Sequence, residues 1–338
     1  MRNKISVLVL LLCVCCFTAC GSPKGEAGED DKVIKEDKLT ILTTNFAEYD
    51  WVKNILGENP GDCQVSMLLD QGVDMHSYQP TAEDILRISS TDIFIYVGGE
   101  SDAWVTDALE NVKDNQIIVV NLLEALGDSA KEEETVEGMQ PEADQEDDQD
   151  EDRDKDHDRP ERDEHVWLSL RNAAVLTEKI SRVLAEADPD HSSVYKENTS
   201  AYVKRLKALD KEYADAVSAA KVKTLLFGDR FPFRYLTDDY GLDYYAAFPG
   251  CSSETEASFE TITFLAGKVD ELSLHAVLTI EGTDHRIAET IVSNTGTKDQ
   301  KILSLNSMQA VSSEDMEEGA EYIKIMEDNL TVLKEALQ

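Results

Sequence analysis

Basic residues, histidines and cysteines are all scarce in this chain, and each scarcity removes a class of function. The 338 residues carry 32 Lys and Arg against 69 Asp and Glu, a formal net charge of −37. Such a charge argues against nucleic acid or an anionic membrane surface as a partner and favours cations. Six cysteines are present, but Cys13, Cys15, Cys16 and Cys20 fall within the first twenty residues. Only Cys63 and Cys251 remain beyond them, one in each half; two cysteines do not make a disulfide scaffold and are expected to be free. No His-Glu-x-x-His sequence occurs, which removes a principal signature of a zinc hydrolase. The apolar run from Ile5 to Phe17 is too short to cross a bilayer as a helix.

That run follows Arg2 and Lys4 and precedes small residues, the pattern of a secretory signal over residues 1–19. Phe17-Thr18-Ala19-Cys20 resembles the Leu-Ala-Gly-Cys processing site of bacterial lipoproteins, departing from it by Phe17 in place of Leu. The resemblance implies lipidation at Cys20 and retention on the outer face of the cytoplasmic membrane. Residues 20–37 then read as a polar tether without structure of its own.

About 300 residues follow, enough for two domains of ordinary size. β-branched runs at 38–44, 63–69, 92–98 and 116–121 alternate with amphipathic stretches near 46–56, 81–90 and 101–112. The second half repeats the alternation, with strands at 224–228, 244–248, 276–280 and 301–305 and helices near 256–272, 284–294 and 315–337. This predicts an α/β fold of two lobes, each a mostly parallel sheet flanked by helices. The expected divisions are an N-terminal lobe over 38–170, a helical linker over 171–221 and a C-terminal lobe over 222–338.

Within the linker, Tyr195, Tyr202, Leu206, Leu209, Tyr213 and Ala216 recur at steps that place them on one face of a continuous helix. It is either a surface helix on one lobe or a stiff backbone between both, and its position between two sheets favours the backbone. A disordered acidic loop is expected over 128–163. Residues 131–164 hold 18 Asp or Glu against five Lys or Arg, a net of −13 with almost no apolar side chain, and such a stretch cannot bury enough surface to order itself. Its carboxylates would raise the local cation concentration beside His165.

Of the six histidines, His157 lies in the acidic loop, His191 in a helix-start turn and His275 just before a strand, each with an ordinary structural explanation. His76 and His165 differ. His76 falls between the strand ending near Leu69 and a helix whose start is marked by Thr81 and Asp84, three residues apart as in a capping box. That is the carboxyl end of a parallel strand, where open α/β sheets bind ligands. His165 sits in Asp163-Glu164-His165-Val166-Trp167-Leu168, between the acidic loop and the next helix. Neutral imidazole nitrogens in such settings suit a borderline metal ion.

Gly72-Val73-Asp74-Met75-His76-Ser77-Tyr78-Gln79-Pro80-Thr81 resembles the Gly-Val-Asp-Pro-His-Ser-Tyr-Glu-Pro-Thr segment of the zinc- and manganese-binding lipoproteins that serve ABC importers. Further segments are similar in the same order: Tyr96 to Trp104, Asp163 to Leu168, Glu254 to Ser258, Ile287 to Ile291 and Tyr322 to Leu337. The resemblance spans nearly the whole chain after the leader. It implies two lobes joined by a rigid helix, a metal ion between them, His76 and His165 as the first two ligands, and importer membrane subunits as partners. The chain would work as a monomer.

The third ligand departs from that family. Its Phe-His-Asp-Ala-Phe segment aligns with Phe227-Gly228-Asp229-Arg230-Phe231, so the usual histidine is Gly228. Two replacements are open: Asp229, or His285 with its neighbour Asp284, following Glu281 at a strand end where manganese-type members use an aspartate. Three imidazoles and a carboxylate suit Zn²⁺, the favoured ion; two of each suit Mn²⁺. The expected mechanism is capture and delivery with no bond made or broken. The alternatives are an extracellular zinc hydrolase with Glu281 or Glu256 as general base, and an adhesin or metal buffer working through its acidic loop.

Overall fold

The computed structural model describes residues 38–58, 63–110, 117–140, 162–252 and 256–338. The leader, Cys20 and its tether, His157 and residues 141–161 of the acidic insert lie outside the described residues.

The alternation of strands and helices is realised as two parallel sheets. In the first lobe β1 (Leu39–Thr43), α1 (Phe46–Leu56), β2 (Cys63–Met67), α2 (Ala82–Ser89), β3 (Ile93–Tyr96), α3 (Trp104–Glu110), β4 (Ile118–Asn121) and α4 (Leu122–Leu126) follow in order. Its strands are arranged β2-β1-β3-β4. The long helices α5 (Leu170–Ala187) and α6 (Ser192–Ala219) come next. The second lobe holds β5 (Thr224–Phe231), α7 (Arg234–Tyr240), β6 (Asp243–Pro249), α8 (Phe259–Leu272), β7 (Ala276–Ile280), α9 (Arg286–Asn294), β8 (Lys301–Leu305), α10 (Ser313–Glu317) and α11 (Tyr322–Ala336). Its order, β6-β5-β7-β8, repeats that of the first sheet. In each sheet the chain reverses direction of growth after its second strand, and the crevice so formed opens at the carboxyl ends of the strands.

α6 is 28 residues long and buries Tyr195, Tyr202, Leu206, Leu209, Tyr213 and Val217, the face read from its periodicity with Val217 in place of the half-buried Ala216. It packs on α1 of the first lobe and on α7 and α11 of the second. Tyr202 Oη donates to Asp50 Oδ2 of α1 at 3.1 Å, while Tyr213 Oη donates to the Met326 carbonyl of α11 at 2.6 Å. The helix therefore joins both lobes through one continuous apolar core that runs from Ile41 and Trp51 to Leu225, Ile280 and Met326.

Two expectations need correction. The helix expected over 315–337 is two helices, because Ser312 and Asp315 cap a short α10 and Gly319, at φ +97°, takes the left-handed conformation that ends it. The acidic segment is ordered at both ends. Lys131 N–H donates to Tyr235 Oη at 2.9 Å, Gln140 N–H to the Ala247 carbonyl at 2.9 Å, and Asp163 N–H to the Lys131 carbonyl at 2.9 Å. The few apolar residues decide this: Met139 is buried and Val136 packs on the core.

Burial in this acidic chain gives it a pH-dependent stability. Desolvation pushes Asp50 and Asp102 up to about 6 each and raises Glu48 well above the carboxylate range, the last helped by the charge of Asp102. The folded chain thus keeps protons that the unfolded chain releases, and for Asp50 the resulting cost is absent below about pH 4 and complete above about pH 6. Asp50→Asn removes that term while keeping an acceptor for Tyr202. Relative to the parent it should gain about 3 kcal/mol between pH 4 and pH 7, at about 1.36 kcal/mol per pH unit. Urea melts at both pH values measure the difference, and an equal difference at the two would contradict the assignment.

Candidate metal centre at the carboxyl ends of both sheets

His76 is set by a 3₁₀ turn, Met75–Ser77, that follows β2. Asp74 caps the turn, its Oδ1 accepting from His76 N–H at 3.0 Å, while buried Met75 anchors it in the core. The other oxygen of Asp74 pairs with Arg230 Nη2 at 2.5 Å. His165 is fully buried, at 0% exposure. Asp163 Oδ1 accepts from both its N–H, at 2.9 Å, and its Nδ1, at 3.1 Å. The turn behind it buries Trp167, whose ring lies 5.4 Å from the imidazole and whose indole donates to the Ser307 carbonyl at 2.8 Å.

These supports bring the two Nε2 atoms to 3.1 Å from each other. Asp163 holds the His165 proton on Nδ1, so its Nε2 carries a lone pair. His76 Nδ1 faces Ser101 Oγ at 2.7 Å. The Gln309 amide nitrogen lies 2.8 Å from His76 Nε2 and 2.7 Å from His165 Nε2, donating one hydrogen to each. Its own oxygen lies 3.1 Å from Ser307 Oγ. Two imidazole lone pairs thus converge on one point, met there by the Gln309 amide hydrogens.

The electrostatics favour a neutral imidazole at His76. Burial, the neighbouring His165 and the Arg230 charge push His76 down to about 3. Burial pushes Glu164, whose Oε2 lies 3.7 Å from His76 Nδ1, up to about 7. Burial works against ionisation of Asp74 as well, but the Arg230 guanidinium prevails and holds it below its ordinary value.

Of the residues singled out in the sequence, the structure brings His76 and His165 together and sets the others aside. Glu281 stands behind the Gln309 loop, accepting from Ser307 N–H at 2.6 Å, Ser307 Oγ at 2.7 Å and Gln309 N–H at 3.3 Å. Asp229 ties β5 to the loop after β7, accepting from Ile280 N–H and Thr283 Oγ1. Asp284 is exposed and pairs with Arg286. His285 precedes α9 at φ 58° and its buried Nδ1 has no hydrogen-bond partner. Asp229, Asp284 and His285 line a neighbouring cavity of about 420 Å³ with Arg230 and Asp74. Gly228 faces α9, where a Cβ would sit 2.6 Å from Ala288 Cα, so no side chain fits at that position.

Sequence reasoning missed two residues of the centre. Among the described residues, one group of three ligand atoms lies within 4.8 Å of one another: those of His76, His165 and Cys251. Cys251 follows β6 and Gln309 follows β8. The strand-end rule that singled out His76 applies to both.

Two parallel sheets that share a long helix and converge on an imidazole pair define a two-lobed solute-binding protein. A family model described as zinc-uptake complex component A, periplasmic, matches residues 41–336, and the chain belongs to that family, ZnuA. The zinc-binding lipoprotein AdcA of Streptococcus pneumoniae is 30% identical over 333 residues, covering 98% of this chain and 61% of its own length. This chain thus spans about three fifths of the AdcA relatives it matches. The high-affinity zinc uptake system protein ZnuA of Bacillus subtilis is 30% identical over 331 residues, covering 98% and 97% of the two chains. Among solved structures, the Zn(II)-bound ZnuA-like domain of S. pneumoniae AdcA superposes with a TM-score of 0.67 at 28% identity, covering 89% of this chain and 99% of that one. The metal-dependent lipoprotein YcdH of B. subtilis gives 0.70 at 26% identity, covering 89% and 100%.

Proposed function

We propose that this protein is an extracytoplasmic receptor that captures Zn²⁺ between His76 and His165 and hands it to an ABC importer. The observation that carries the reading is the 3.1 Å separation of the two Nε2 atoms. Two nitrogens bound at about 2.0–2.1 Å to a tetrahedral ion lie about 3.3 Å apart, so the pair is spaced for one ion. Nitrogen donors in a buried setting favour zinc over the harder Mn²⁺. The family, and the zinc-binding and zinc-uptake relatives within it, support the same cargo. They also set aside the hydrolase alternative: the ion exchanges water for protein ligands and leaves again, with no bond made or broken in a substrate.

The imidazole pair needs no second copy of the chain, since both rings come from one polypeptide. The chain is anchored on the outer face of the cytoplasmic membrane through a lipid at Cys20. Docking on the importer's membrane subunits separates the lobes' strand ends and releases the ion. Calorimetric titration of metal-depleted protein tests the cargo: one Zn²⁺ should bind per chain and displace Mn²⁺ completely. Equal affinity for the two ions, or no zinc binding, would refute it.

A further inference from the structure

His76 and His165 supply two nitrogens; Gly228 supplies nothing, Asp229 is hydrogen-bonded to Ile280 and Thr283, and His285 lines the neighbouring cavity. Among the described residues, the donor atom that groups with both imidazole nitrogens is the sulfur of Cys251. β6 ends at Pro249, and Gly250 then passes so close to His165 that a Cβ there would stand 2.9 Å from His165 Cε1 and 2.9 Å from the Phe231 carbonyl oxygen. The missing side chain at 250 lets the backbone lie against the ring and delivers Cys251 to it. Cys251 N–H donates to Glu133 Oε1 at 3.4 Å, which holds the residue in place. Cys251 is in no disulfide, and its Sγ falls within 4.8 Å of the ligand atoms of both histidines.

We propose that Cys251 is the third protein ligand of the zinc centre, binding as a thiolate, so that the site is His₂Cys. A tetrahedral Zn²⁺ with Zn–N of about 2.0–2.1 Å and Zn–S of about 2.3 Å separates sulfur from nitrogen by about 3.6 Å. A rotation of the Cys251 side chain with a shift of about 1 Å spans the difference. On binding, the S–H proton passes to solvent as the metal–sulfur bond forms, and no electron is transferred. Two imidazoles and a soft thiolate select zinc against manganese, and a fourth position is left to water. The inference rests on the imidazole pair holding the ion.

Cobalt substitution separates the two claims. Co²⁺ bound to the metal-depleted protein should show a thiolate-to-cobalt charge-transfer band in the near ultraviolet. Cys251→Ser should lose the band and bind zinc more than about 100-fold more weakly, beyond the roughly 10–100-fold that a supporting residue costs a metal site. Cys63→Ser should keep both band and affinity. A cobalt complex with ligand-field absorption but no thiolate band, or a band lost in Cys63→Ser and kept in Cys251→Ser, overturns the assignment and leaves the imidazole reading intact. Failure of parent protein to bind either ion overturns both.

Discussion

Replacing His76 and His165 together by alanine should abolish zinc binding while leaving the fold in place. Loss of a residue that merely supports a ligand costs metal sites about 10–100-fold in affinity, so each imidazole should be worth more than about 100-fold. The pair removed together should take calorimetric heat below detection. The apolar core that joins α6 to α1 and α11 is untouched, so far-ultraviolet dichroism should match the parent, while the metal-depleted variant should melt lower because buried His165 leaves a cavity and an unpaired Asp163. What should vanish is the zinc-induced rise in melting temperature, because a ligand stabilises only by what it gains from the folded state. Binding retained within about threefold would show that the ion sits elsewhere.

Gln309→Ala should have the second large effect, in the opposite direction. The amide nitrogen donates to both imidazoles at 2.8 and 2.7 Å, so an ion held by the same two lone pairs must first break both hydrogen bonds. At about 1 kcal/mol each they oppose capture by about 2 kcal/mol, or about 30-fold in affinity. The imidazoles keep their orientation without Gln309, because Asp163 and Ser101 hold their Nδ1 atoms. Gln309→Ala should therefore bind zinc about 30-fold more tightly while its metal-depleted form is slightly less stable. Competition against a chelator of known affinity measures the change. Weaker binding would mean that the amide turns its oxygen to the ion, making Gln309 a ligand.

Local features of this chain were legible because their causes are local. Thr81 and Asp84 form the capping box read from their spacing, with Thr81 Oγ1 and the Asp84 carboxylate each bonding the other's backbone N–H. The strand segments are β-branched runs bounded by polar turns, and all eight of them pair in parallel. The periodic face of α6 is buried because helical geometry alone dictates which side chains share a face. The error over 315–337 has an equally local cause in Gly319, a signal present in the sequence that the apolar periodicity overrode. The acidic insert misled for another reason: composition describes an average, whereas a single buried Met139 and backbone hydrogen bonds to the second lobe are enough to pin one end.

By itself the sequence determined that this is a two-sheet parallel α/β protein with a long connecting helix, and it singled out His76, after a strand end, and His165, before a helix, as residues suited to a borderline metal ion. Periodicity, turn chemistry and resemblance carry that information within short windows. Only the tertiary structure decided what completes the pair. His76, His165, Cys251 and Gln309 are separated by as many as 233 residues, and they meet because strands of both sheets discharge their carboxyl ends into one crevice. No window along the chain records such a meeting. Gly228 stands where any Cβ would meet Ala288, and Cys251 gained its position from the side chain that Gly250 lacks. Both are facts of packing distance, which a chain acquires only on folding.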